Sequence, residues 1–120
     1  MGKLNYAKLL KEIFVGYQEL EKRASNSITD QKVNAVFVMD EVQGIFAWLD
    51  FGWTKQGRIE TINVFVRLQD GRIHIEEDMT EEGIGTILLK KGVPPQDIVV
   101  EFHPPEMRQY TEFGVSKICL

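Results

Sequence analysis

His74, Glu76 and Asp78 stand at alternate positions, so one continuous strand would project an imidazole and two carboxylates from a single face. Such a set could ligate a divalent metal and, with a metal-bound water, support hydrolysis. Spacing alone does not make ligands converge or supply the outer partners that orient them. The same residues also read as a solvated strand face entering the acid-rich stretch Glu76-Glu77-Asp78-Glu81-Glu82. Those acids suit the positive end of a helix dipole. A second candidate is His103, held before Pro104-Pro105 and close to Glu106 and Arg108. The prolines keep the preceding backbone extended and stiffen the turn. A rigidly placed histidine of this kind fits a general base or a phosphate contact, and equally a loop in which it caps a hydrogen bond. Cys119 has no neighbour that would activate a thiolate. There is no phosphate-cradling glycine loop, no zinc-spaced Cys/His set and no serine elbow. Catalysis is not supported, and neither a cofactor nor a metal is expected.

Aromatic residues carry the stronger signal. Phe46, Trp48, Phe51 and Trp53 crowd one segment, and Phe65 belongs to the segment expected beside it. A sheet face left uncovered by helices would show large rings, for instance Phe46, Trp48 and Phe65. Exposed rings can stack on bases or form the centre of a protein interface. The chain carries 14 basic and 18 acidic side chains, a net charge of −4 and a pI near 5.2. That balance excludes a protein that coats nucleic acid through bulk charge and favours a protein partner. Local DNA contact through Arg58, Arg67, Arg72 and Arg108 is the alternative.

The elements that must position these residues follow from hydrophobic periodicity. Tyr6, Leu9, Leu10, Ile13, Phe14, Tyr17 and Leu20 recur at steps of three and four, which predicts an amphipathic helix from Tyr6 to about Ala24. Its polar face mixes both charge signs, which suits packing on a sheet better than lying on a membrane. The period then falls to two. Val33–Met39, Ile45–Trp53, Ile62–Leu68 and Arg72–Glu76 read as strands, separated by turns near Gly44, at Thr54-Lys55-Gln56-Gly57 and at Asp70-Gly71. Tight turns between consecutive strands specify an antiparallel meander. A second helix should start within Asp78-Met79-Thr80-Glu81-Glu82, bury Ile84, Ile87 and Leu88, and stop at Gly92 and Pro94-Pro95. Ile98-Val99-Val100 reads as a short buried strand. The expected fold is α+β, with the helices packed on the sheet, and residues 1–120 form one domain.

One cysteine, no apolar run of about 20 residues and no leader-like N-terminus predict a soluble cytoplasmic protein.

From Trp53 onward the residues also follow a known pattern. Trp53, Arg58, Asp70-Gly71-Arg72-Ile73 and Asp78 lead into Thr80-Glu81-Glu82-Gly83-Ile84 and Gly92-Val93-Pro94. Asp97-Ile98-Val99, Phe102-His103-Pro104-Pro105, Arg108, Tyr110-Thr111 and Phe113 complete it. This closely resembles the XisI family, cyanobacterial proteins named as controlling factors for excision of the fdxN element. The resemblance implies a small α+β accessory factor, encoded beside an XisH-type partner that resembles an endonuclease and supporting a site-specific recombinase. It carries over no catalytic residues. Two positions depart from it: the family usually has tryptophan where this chain has His74, and often histidine where it has Glu77. The metal set around His74 is therefore particular to this chain. The expectation is a non-enzymatic factor that binds an XisH-like protein, with DNA touched only locally or through the partner. Trp48, Trp53, Phe65, His103, Arg108 and Tyr110 are the candidates for binding. A homodimer through the aromatic face or an edge strand is a related expectation.

Overall fold

A computed structural model describes residues 5–25 and 32–102. Helix α1 spans Tyr6–Ser25, and strands β1 Lys32–Asp40, β2 Ile45–Thr54, β3 Gly57–Gln69 and β4 Arg72–Asp78 follow. Helix α2 is Ile84–Lys90, a 3-10 turn covers Pro95–Asp97, and strand β5 is Ile98–Val100. The five strands form one sheet in the order β1-β2-β3-β4-β5. The first four are an antiparallel meander, as the tight turns require, and β5 adds in parallel beside β4. The α+β architecture expected from the periodicity is the one observed, with α1 and α2 both contacting the sheet.

Local chemistry explains the joints. Asn5 caps α1, its side-chain oxygen accepting the Lys8 amide at 3.1 Å. At the β1–β2 turn the Asp40 carboxylate accepts from the amides of Val42 and Gln43 and from the Gln43 side chain. Those hydrogen bonds, the Gln43 amide foremost, hold its carboxyl below the usual range. Gly44 closes the turn at φ +71°, and a Cβ there would lie 2.9 Å from the Leu68 Cβ. Asp70 and Gly71 both take positive φ, the conformation that a two-residue Asp-Gly hairpin needs. Helix α2 ends in a glycine cap: the Val93 amide donates to Leu88 and the Gly92 amide to Leu89.

The second helix begins later than its acids suggest. Asp78 does not start it; its carboxylate accepts from the Thr80 amide at 2.9 Å, the Thr80 hydroxyl at 2.6 Å and the Ile84 amide at 2.7 Å. One side chain thereby closes the β4–α2 connection and caps the helix from six residues upstream. The core lies between the helices and one face of the sheet. Leu10 and Phe14 from α1 and Ile84 and Leu88 from α2 meet Phe46, Val64, Val66, Ile73, Ile75, Ile98 and Val100. Across this layer the Tyr6 hydroxyl donates to the Asp97 carboxylate at 2.6 Å, tying the start of α1 to the turn before β5.

Three outcomes follow. Gly44→Ala should cost about 2 kcal/mol, from strain at positive φ and crowding against Leu68. Asp78→Ala should cost a similar amount, about 2 kcal/mol, because it strips a helix cap and two further acceptor contacts. Urea unfolding checks both, and an unchanged midpoint would contradict either. Third, burial first, and then the carboxylates of Asp97 and Asp78 respectively, push the Tyr6 and Tyr17 hydroxyls up to about 12. Because the folded state holds these protons more tightly, the stability they add is complete below pH 10. It is lost as pH rises toward 12, and a tyrosinate absorbance titration of Tyr6→Phe and Tyr17→Phe should lack the corresponding late component.

Candidate interaction surface

Strand alternation divides the sheet side chains between two faces, and two bulges decide where the division falls. The register shifts between Trp48 and Leu49, where Asn63 is the extra residue of β3. It shifts again between Phe65 and Val66, where Glu76 is the extra residue of β4. The helix-covered face therefore takes Phe37, Met39, Phe46, Trp48, Val64, Val66, Ile75 and Asp78. The opposite face takes Val36, Val38, Leu49, Phe51, Trp53, Arg58, Ile62, Phe65, Arg67 and His74.

The bulge at Glu76 separates the metal set proposed from spacing. His74 pairs with Arg67 on the helix-free face, while Asp78 pairs with Val64 on the covered face and is engaged by α2. Glu76 meets Arg67 at 2.7 Å, with both Nε and Nη2 donating to one carboxylate oxygen. His74 is 8% exposed. Its Nδ1 lies 2.8 Å from the Glu101 carboxylate and its Nε2 lies 3.3 Å from the Gln69 carbonyl. Both ring nitrogens thus join β4 to the chain leaving β5 and to the β3–β4 hairpin. Among the described residues no group of three metal-ligating side chains comes together.

Trp48 is not on an open face. It lies beneath α1, 5.3 Å from the Tyr17 ring and stacked on Phe37 at 5.4 Å. Phe46 is fully buried beside Phe14. The expectation that both would show on an uncovered face fails because the even positions of β2 turn toward the helices. Phe65 does fall on the helix-free face, as does Trp53, which is 62% exposed. His103, Arg108 and Tyr110 lie outside the described residues, as does Cys119.

Alternation places Arg58, Arg67 and Arg72 on the helix-free face, but apart and engaged. The Arg58 guanidinium sits 5.8 Å over the Trp53 ring, with Glu60 3.7 Å from its Nε. Arg67 is paired with Glu76, and Arg72 donates to the Gln96 carbonyl at 3.0 Å. They form no cluster of free cations aimed at one phosphate track.

What this face offers is apolar area over β1, β2 and β3. Val36 and Val38 are each 37% exposed and Ile62 is 45% exposed. Leu49, Phe51 and Ile62 line a shallow groove of about 420 Å³ together with Arg58 and Glu60. On the same side His74 of β4 and Val99 of β5 are buried. The odd apolar positions of β2 were visible in the sequence, but nothing there said which set the helices would leave open. Among the described residues no helix is long and apolar enough to cross a membrane.

Comparison with known proteins adds the family. Residues 1–115 match the family described as XisI protein. The fold is shared with the crystal structure of a XisI-like protein of Anabaena variabilis ATCC 29413. That match has a TM-score of 0.76 and 30% identity, over 92% of this chain and 96% of the other. It is shared also with fdxN element excision controlling factor XisI of the same organism. Here the TM-score is 0.77 and the identity 31%, over 93% of this chain and 96% of the other. No protein with a curated description matches. The motif series from Trp53 to Phe113, the helix–meander–helix–strand order and a match running through nearly the whole chain agree: this protein belongs to the XisI family.

Proposed function

We propose that this protein is a non-enzymatic accessory factor in excision of a DNA element, acting in the cytoplasm by holding an XisH-type protein on its helix-free face. The observation that carries the reading is the exposed apolar surface over β1–β3, with Ile62 at 45% and Trp53 at 62% exposure. Large side chains in contact with water cost free energy in the isolated protein and return it when a partner covers them. A mainly apolar groove that also has Arg58 and Glu60 in its lining combines the apolar and polar groups that protein interfaces use. The solved relative described as an excision controlling factor supports the biological setting. DNA contact in this reading is made by the partner or the recombinase, since Arg58, Arg67 and Arg72 are engaged within the chain.

Co-expression with an XisH-type protein followed by size exclusion tests the reading, with a single co-eluting complex expected. Ile62→Glu puts a charge in the middle of the groove at a position exposed enough to tolerate it. It should weaken the complex about tenfold or more while leaving the far-UV spectrum unchanged. Two separately eluting wild-type species would contradict the proposal. Salt-sensitive DNA binding by the isolated protein would transfer the function to direct recognition.

A further inference from the structure

Strand β1 forms one border of the sheet, and among the described residues nothing pairs with its outer edge. An edge strand presents a row of unpaired N–H and C=O groups, which monomeric proteins blunt with short length, charges, proline or bulges. Among the described residues the border strand on the other side, β5, is three residues long. β1 has charged residues only at its two ends and none of the other protections. It is nine residues long, its pairing with β2 runs without a register shift, and Val33-Asn34-Ala35-Val36-Phe37-Val38-Met39 contains neither a charge nor a proline. A groove of about 290 Å³ lies between α1 and β1, lined by Gln18, Glu21 and Lys22 of the helix and by Val33, Asn34, Ala35 and Phe37 of the strand.

The strand is also complementary to itself. Laid antiparallel on a second copy with Val36 at the centre, Lys32 stands opposite Asp40 at both ends. Val33 then stands opposite Met39, Ala35 opposite Phe37, Asn34 opposite Val38, and Val36 opposite its own counterpart. Opposed residues in an antiparallel pair share a face, so apolar helix-side positions meet helix-side positions throughout. The two-fold axis runs normal to the sheet, and the product is a continuous ten-stranded sheet with all helices on one side. A shift by one residue would put helix-side positions of one copy on the open side of the other. A shift by two would shorten the ladder, leaving two residues at one end of each strand with no strand residue opposite. We infer that this protein pairs with a second copy of itself through β1 in the Val36-centred register. The pairing is independent of what occupies the helix-free face, and it leaves the two copies of that face side by side.

The test uses the full chain without any partner, carrying Cys119→Ser so that introduced thiols are the only ones. Light scattering should give a mass approaching twice 13.8 kDa as concentration rises. Val36→Cys should cross-link to itself on mild oxidation, because opposed Cα atoms in an antiparallel pair lie about 4.5–5.5 Å apart, within disulfide reach. Val38→Cys alone should not cross-link, since position 34 faces it, whereas the double variant Asn34→Cys/Val38→Cys should. Val36→Lys, which sets like charges opposite each other, should weaken the dimer about tenfold or more and keep the far-UV spectrum. A monomer mass at the highest soluble concentration would overturn the inference. So would Val38→Cys cross-linking as readily as Val36→Cys, which places the contact elsewhere.

Discussion

Phe14 of α1 rests on Phe46 of β2 with ring centroids 5.9 Å apart, both side chains fully buried, and much of the remaining structure depends on that contact. It seats α1 across the first two strands and commits the even positions of β2 to the covered face. Tyr17 then meets Trp48, and Trp48 stacks on Phe37, extending the aromatic layer to the border strand. At its other end α1 is held by the Tyr6–Asp97 hydrogen bond, which brings the turn before β5 under the same layer. Once one face is filled in this way, every odd residue of β2 must point to the other side. Ile45, Ala47, Leu49, Phe51 and Trp53 are all apolar, so the opposite face inherits hydrophobic area that α1 and α2 do not cover.

The bulges sharpen this division. By inserting Asn63 and Glu76, they let β3 and β4 change phase part-way along. Glu76 turns to Arg67 on the helix-free side, and Asp78 turns inward to receive α2. Three residues whose spacing suggested one metal site are thereby distributed among three structural tasks: linking β4 to the β5 exit, neutralising an arginine and capping a helix. On the helix-free face Arg58 stands beside Glu60 and Arg67 beside Glu76, so both cations have an anionic neighbour within the chain.

Much of the fold was legible from the chain. The three-and-four spacing of α1, the Asp70-Gly71 hairpin and the Gly92 stop each state a local backbone requirement in a few residues, and each was found where expected. The phase of β2 was not legible, because Phe46 and Trp48 on one face and Leu49, Phe51 and Trp53 on the other are equally apolar. Only the docking of Phe14 selects between them. The bulges carried no clear sequence signal, since Asn63 and Glu76 are ordinary polar residues in strands. The start of α2 was misplaced for a related reason: Asp78 and Thr80 have capping chemistry, and they spend it on the connection before the helix and on the Ile84 amide.

Membership of the XisI family and an open apolar sheet face underlie the proposed function: a small scaffold whose covered face holds the core and whose other face is the surface proposed for recognition. Its central claim concerns Trp53 and Trp48, which sit on opposite faces of the same strand. Acrylamide quenching of tryptophan fluorescence, compared between the wild type and Trp53→Phe, separates the two residues. With the protein alone, Trp53 should be readily quenched and Trp48 shielded; adding an XisH-type protein should shield Trp53 and leave Trp48 unchanged. Trp53 remaining equally quenchable at saturating partner, or Trp48 proving the accessible residue, would contradict the account.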